Sequence, residues 1–234
     1  MNILVTGASK GIGQNIARTL LECGHEVFCT GRDETALSEY KNRIIADLSK
    51  TEDIKKLGEY AIFNCIDVLI NNAGEYIYSE IENMSFEQIS RIIRVNTEVP
   101  FYLTSKVVPY MKQKKWGRII NIGSISGVMG ETCASIYSAS KSALIGGTKA
   151  LALELAEYGI TANTINPGWV DTQMGNNSAE DGDWSKDEIL SCIPQKRFVS
   201  PREISGFIKY LISDEAKGLT GQSVNICAGL SVGY

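Results

Sequence analysis

Asn2-Ile3-Leu4-Val5-Thr6-Gly7-Ala8-Ser9-Lys10-Gly11-Ile12-Gly13 opens the chain, and its reading decides the fold. A short apolar run rich in β-branched residues gives way to glycines, and a helical pattern follows over Ile12–Cys23. A strand turning at once into a helix is the first half of a βαβ unit. Glycines there permit a tight turn and let the backbone come close to a pyrophosphate. The helix start adds free N–H groups and a favourable dipole. A glycine loop alone carries little weight, because strand-to-helix turns use glycine for shape. Its place at the head of a βα unit gives it meaning.

Further along, the same alternation repeats. Glu26–Thr30, Arg43–Ala46, Asp67–Ile70, Arg118–Gly123, Ile160–Ile165 and Ser223–Cys227 read as strands. Glu34–Lys41, Ser85–Lys114, Ser135–Tyr158 and Pro201–Ser213 read as helices. This pattern predicts an α/β fold: a single domain with a doubly wound parallel sheet of about seven strands and helices on both faces. Ligands on such a sheet bind outside the carboxyl ends of the strands. Gly7–Gly13, Gly31-Arg32, Asp47, Asn71–Gly74, Ser124 and Pro167-Gly168 each follow a predicted strand directly, where a ligand would sit.

Composition sets the outer limits. At 234 residues, 44% hydrophobic and 21% charged, the chain has the make-up of a soluble globular domain. A net charge of −4 disfavours nucleic-acid binding. No apolar stretch reaches membrane-spanning length, and the first run is too short and wrongly flanked for a signal peptide. The six cysteines are scattered without a CxxC pair or metal-ligand spacing. They predict small buried residues in a reducing, cytoplasmic setting and no metal. The polar island Gly175–Glu188 reads as a lid over a site, with about 174–194 as its span.

The spacing TGxxxGxG in Thr6–Gly13 resembles the glycine motif of the short-chain dehydrogenase/reductase family. Other motifs continue that resemblance in order along the chain: Asp47-Leu48, Asn71-Asn72-Ala73-Gly74, Arg94-Val95-Asn96, Ser124, Tyr137-x-x-x-Lys141 and Pro167-Gly168-Trp169-Val170-Asp171-Thr172. The resemblance implies a three-layer Rossmann fold, with cofactor binding in about 1–123 and catalysis and substrate binding in about 124–234. It implies catalytic roles for Asn96, Ser124, Tyr137 and Lys141. By the same resemblance the cofactor is held by Gly7, Ser9, Lys10, Gly11, Ile12 and Gly13 of the loop, and by Arg32, Asp47 and Leu48. Asn72, Ala73, Gly74, Tyr137, Lys141, Pro167, Gly168, Val170 and Thr172 complete that set.

The chemistry of these residue types agrees. Tyr137 and Lys141 lie one helical turn apart on one face. A free tyrosine titrates near ~10, too high for an acid/base at neutral pH. A neighbouring ammonium and the positive charge of an oxidised nicotinamide would favour tyrosinate. Ser124 can hydrogen-bond the substrate oxygen as charge develops there. Asn96 sits in a helical run that asparagine does not favour, and by resemblance holds a water that relays protons through Lys141. Singly, a Tyr-x-x-x-Lys pair is an ordinary solvated helix face and a serine after a strand an ordinary turn. It is their combination behind the glycine loop that points to catalysis. Ser126 reads as a residue supporting the catalytic serine, and Ser138 and Ser140 as packing residues.

An NAD-preferring relative has an acid at the end of the second strand, to bond the adenosine ribose. Here Thr30 stands at that expected position. Arg32 suits a 2′-phosphate, Lys10 is a second cation for it, and Asp33 is a neighbour that partly neutralises Arg32. The expectation is NADP(H) over NAD(H).

For the substrate, Tyr137–Thr172 and Thr220–Gly229 resemble 3-oxoacyl-thioester and polyketide ketoreductases. Carrier-protein or coenzyme A delivery then becomes an expectation. Lys114-Lys115 keeps one of the family's carrier-docking bases, Tyr158 replaces the other, and Glu180, Asp181, Asp183, Asp187 and Glu188 make the lid acidic. A dehydrogenase of a free alcohol, sugar or sterol is the alternative, and a non-catalytic dinucleotide-binding regulator a remote one. Apolar Ala143, Leu144, Ile145, Leu151, Leu153 and Leu155 surround much of the Ser135–Tyr158 helix, which predicts a homotetramer or two-fold dimer. Ser231–Tyr234 is placed to reach a neighbouring subunit.

Overall fold

A computed structural model of the chain describes residues 1–173, 175, 182 and 184–232. Seven parallel strands form one sheet: β1(Asn2–Thr6), β2(Glu26–Gly31), β3(Asn42–Ile45), β4(Val68–Asn71), β5(Gly117–Ile122), β6(Ile160–Pro167) and β7(Ser223–Ile226). Their order across the sheet is β3-β2-β1-β4-β5-β6-β7. All seven expected strands are present, displaced by no more than two residues at either end. The order reverses between β1 and β4, where a doubly wound sheet opens a crevice at its carboxyl edge.

Helices cover both faces, and the strands show why. Successive side chains of a strand point to opposite sides. Ile3 and Val5 therefore join one core with Val68, Ile70, Ile120 and Ile122, packed by α1(Gly11–Glu22) and α9(Pro201–Leu211). Leu4, Leu69 and Ile119 join the other, under α3(Thr51–Phe63), α5(Val99–Lys114) and α7(Ser135–Leu155). Strands apolar on both sides are what a sheet buried on both faces requires.

Four helical expectations change. The α3 helix is absent from the sequence reading. Its buried face is only Leu57, Gly58 and Ala61, while Ile62 and Phe63 are exposed, so its apolar stripe is faint. The segment read as helix over Glu34–Lys41 is one turn, α2(Glu34–Leu37). The long run Ser85–Lys114 is two helices, α4(Phe86–Ile93) and α5, joined by a π turn over Arg94–Glu98. Pro100 has no N–H to donate to the Asn96 carbonyl, so the α ladder fails there and the backbone widens. Short helices α6(Ser126–Met129) and α8(Lys186–Cys192) also appear. Of the expected lid, Glu180, Asp181 and Asp183 lie outside the described residues, as do Gly233 and Tyr234. Glu188 accepts from the Ser185 N–H at 2.8 Å and caps α8.

Candidate active site

A cleft of about 640 Å³ runs along the carboxyl edge of the sheet, and nearly all of the expected site residues line it. The glycine loop forms one end. Gly7 adopts φ +67°, and a Cβ there would stand 2.9 Å from Ala73 Cα. A Cβ on Gly13 would meet the Gly7 carbonyl oxygen at 2.2 Å, so α1 can start against the loop only with glycine at that position. No side chain caps the first turn of α1, whose N–H groups face the cleft as an anion seat. Asn72 Nδ2 donates to the carbonyls of Thr6 and Gly7 at 2.9 and 3.1 Å, tying the β4 loop to the glycine loop. The cradle fits the pyrophosphate of a dinucleotide.

At the far end of this groove stand Gly31, Arg32, Asp47 and Leu48. Thr30 is wholly buried between β1 and β3 and does not line the cleft. The residue that faces the cleft where an acid would select a ribose diol is Gly31, one position later. A Cβ added to Gly31 would stand 3.0 Å from Ser9 Oγ. The Asp33 carboxylate accepts from the Ala36 N–H at 2.9 Å to cap α2, so it is committed to the helix rather than to Arg32. Lys10 Nζ donates to Gln173 Oε1 at 3.3 Å. Burial pushes the Asp47 carboxyl up, but donors from Ser49 and the charges of Arg32 and Lys50 hold it below the usual range.

At the centre of the cleft, Ser124 follows β5, and Tyr137 and Lys141 rise from the first two turns of α7. Lys141 is buried, its ammonium donating to the Ile122 carbonyl at 2.8 Å and lying 5.8 Å from the centre of the Tyr137 ring. Burial pulls the Lys141 ammonium down to about 8. Burial pushes the Tyr137 hydroxyl up to about 12, with a Ser124 hydrogen bond opposing that rise and the Glu131 charge adding to it. Desolvation thus outweighs the Ser124 hydrogen bond at Tyr137.

Asn96 is buried in the π turn and does not line the cleft. Its Nδ2 donates to the Glu75 carbonyl at 2.9 Å and to Ser140 Oγ at 3.0 Å, and its Oδ1 accepts from the Glu75 N–H at 2.8 Å. Both amide protons are spent, so the side chain clamps the loop after β4. Ser140, expected to pack only, links this clamp to α7 by donating to the Tyr137 carbonyl at 2.7 Å. Ser126 stands beside Ser124: Ser124 Oγ donates to Ser126 Oγ at 3.0 Å.

Glu131, Tyr76 and Trp184 are among the lining residues that sequence reading missed. Glu131 accepts from Ser126 Oγ at 2.5 Å and from the Tyr76 hydroxyl at 2.8 Å. The Tyr76 ring meets Tyr137 edge-on, with centres 4.9 Å apart. Trp184 lines the cleft as well. Glu131 and Tyr76 have no sequence signal of their own, because each matters only through the contacts that the fold gives it with Ser126 and Tyr137.

The family model for short chain dehydrogenases matches residues 1–183. The chain belongs to that family. This dehydrogenase is 36% identical to the 3-oxoacyl-(acyl-carrier-protein) reductase of Staphylococcus epidermidis, with 97% of each chain covered. It is equally similar to the reductase of that name from Escherichia coli, over 97% of this chain and 96% of the relative. A crystal structure of an actinorhodin polyketide ketoreductase with NADPH superposes with a TM-score of 0.92 at 35% identity, over 99% of this chain and 97% of that one. A 4-hydroxyisoleucine dehydrogenase complexed with NADH superposes with a TM-score of 0.90 at 30% identity, over 100% of this chain and 99% of that one. The protein is an oxidoreductase that acts on CH–OH groups with a nicotinamide dinucleotide. No helix among the described residues is long and apolar enough to cross a membrane.

Proposed function

We infer that the enzyme reduces a ketone to a secondary alcohol with NADPH, and that its substrate is a 3-oxoacyl thioester or a polyketide-like β-ketone. The observation that carries the reaction is the convergence of Ser124, Tyr137 and Lys141 at the centre of one cleft whose other end is the glycine cradle. When bound, the nicotinamide supplies the hydride and, once oxidised, a positive charge. Ser124 holds the carbonyl oxygen, Tyr137 gives it a proton, and Lys141 holds the cofactor ribose beside them. Asn96 keeps the loop after β4 in place beneath these groups. Pro167, Gly168, Val170 and Thr172 seat the nicotinamide, and Trp184 lines the same cleft.

The preference for NADPH rests on Gly31 and Arg32. A glycine faces the adenosine ribose where an acid would repel a phosphate, and Arg32 has no ion-pair partner among the described residues. The preference for an acyl ketone rests on the names of the two curated relatives and the ketoreductase.

A second reading, oxidation or reduction of a free small molecule, has one observation in its favour. The cationic segment Lys114-Lys115 lies just before β5, where Lys114 pairs with Asp67. That is the amino edge of the sheet, about 20 Å from Ser124 across the six residues of β5. A carrier docked there has to reach round to the opposite edge. Measuring kcat/KM on a carrier-bound or coenzyme A 3-oxoacyl substrate against free ketones decides between the two. A preference for the free ketones overturns the acyl reading.

Assembly follows from α7. Leu144 and Leu155 are buried against the protomer, whereas Leu153 is 86% exposed and Ala143 lies on the surface. An exposed apolar stripe on a helix of 21 residues supports a two-fold interface, in a dimer or tetramer.

A further inference from the structure

Glu131 is an acidic side chain in the part of the cleft where the substrate would react, on the loop between Ser124 and Tyr137. No cation stands within 4 Å of it among the described residues. The other acid of that region, Glu75, is paired with Arg91 at 2.7 Å. The surrounding wall is aromatic and apolar: Tyr76, Tyr78, Met129, Trp169 and Trp184.

The hydrogen bonds around Glu131 run in one direction only. A carboxylate accepts and cannot donate, so Ser126 and Tyr76 must both give it their hydroxyl protons. With its proton committed, Ser126 can only accept from Ser124 through its oxygen. The Ser126 N–H also donates to Ser124 Oγ at 3.1 Å. Ser124 thus receives one bond from the main chain and has one proton to give, shared between Ser126 and the Tyr137 oxygen until a carbonyl oxygen draws it away. Tyr76, fixed by the same carboxylate, forms the edge-on wall of Tyr137. One side chain orders the surroundings of both hydroxyls that would grip the substrate oxygen.

The position also places a charge. Hydrogen bonds of 3.0 and 2.5 Å separate Ser124 Oγ from the Glu131 carboxylate, so the two lie within about 5.5 Å. We propose that Glu131 is the specificity-determining residue of this site: it positions Ser124 through Ser126 and rejects ketones that carry a carboxylate beside the reacting carbon, restricting the enzyme to substrates neutral at that end. A like charge about 6 Å away, in a cleft of intermediate dielectric, lowers affinity by about tenfold to a hundredfold. The inference rests on the reading of the cleft as a ketone site. It deepens that reading, because a 3-oxoacyl thioester is neutral next to its ketone and the free 3-oxo acid is not.

The test compares neutral and anionic members of two substrate pairs. Ethyl 3-oxobutanoate and 3-oxobutanoate form one, and ethyl 2-oxopropanoate and 2-oxopropanoate the other. The kcat/KM ratio of ester to acid is measured for wild type, Glu131→Asp and Glu131→Gln, with Glu131→Ser as a second charge-free variant should Gln destabilise the loop. Wild type and Glu131→Asp should favour the esters. The ratio should fall by at least about tenfold in the charge-free variants, through a lower KM for the acids. A ratio unchanged between wild type and a folded charge-free variant overturns the role of Glu131. Turnover of the 2-oxo pair without turnover of the 3-oxo pair overturns the acyl-substrate reading instead, while the 2-oxo ratio still reports on Glu131.

Discussion

The Lys141 ammonium donates to the main-chain carbonyl of Ile122, the last residue of β5, at 2.8 Å. The strand end that presents Ser124 two residues later therefore also anchors the helix that presents Tyr137. The cost is a buried cation held mainly by a neutral carbonyl.

That cost gives a stability prediction. Burial lowers Lys141 to about 8 in the fold, from 10.5 in the unfolded chain. Between these values the unfolded chain binds more protons, so this group makes stability rise with pH from about 8 to 10.5. Below pH 8 the ammonium is a net burden. Lys141→Met should abolish turnover yet raise the unfolding free energy at pH 7 by about 1–3 kcal/mol. Urea titrations at pH 7 and pH 10 should show that advantage shrinking. A variant less stable than wild type at pH 7 contradicts this account.

Tyr137→Phe removes one hydroxyl and nothing that packs. Fold and cofactor affinity should persist while turnover drops about 10²–10⁴-fold or more. Wild-type-like turnover would remove Tyr137 from the proton-donor role. Lys141→Ala, in contrast, should weaken both turnover and cofactor binding.

Arg32→Asp should shift the ratio of NADPH to NADH efficiency toward NADH by roughly tenfold to a hundredfold, the worth of one charge-assisted hydrogen bond. Gly31→Asp should act in the same direction, since Gly31 is the β2 position open to the cleft, whereas Thr30→Asp should damage the fold. A wild-type enzyme that prefers NADH makes Lys10 and Arg32 bystanders.

Light scattering at micromolar concentration should give at least twice the 25.6 kDa of one chain. Leu153→Glu places a charge on the exposed stripe of α7 and should lower that mass without lowering the stability of the protomer. A wild-type particle of one chain refutes the assembly.

Much of the fold was present in the order of residues, because its cause is local. Strand runs apolar on both faces, glycines where a strand must turn into a helix, and the one-turn spacing of Tyr137 and Lys141 each follow from backbone geometry over a few residues. That was enough for all seven strands and for the line of residues along the carboxyl edge. Tertiary structure decided what depends on distant chain segments. Thr30 and Gly31 are adjacent, and the pleat alone determines which of them faces the cofactor groove. Asn96 sits in a π turn, and its amide is spent on Glu75 and Ser140, segments that only the fold brings to it. The acidity of Tyr137 is set by burial that no spacing reveals. Glu131 is an ordinary loop acid until the chain folds it against Ser126 and Tyr76, because a hydrogen bond needs its partners within about 3 Å and sequence distance does not report that.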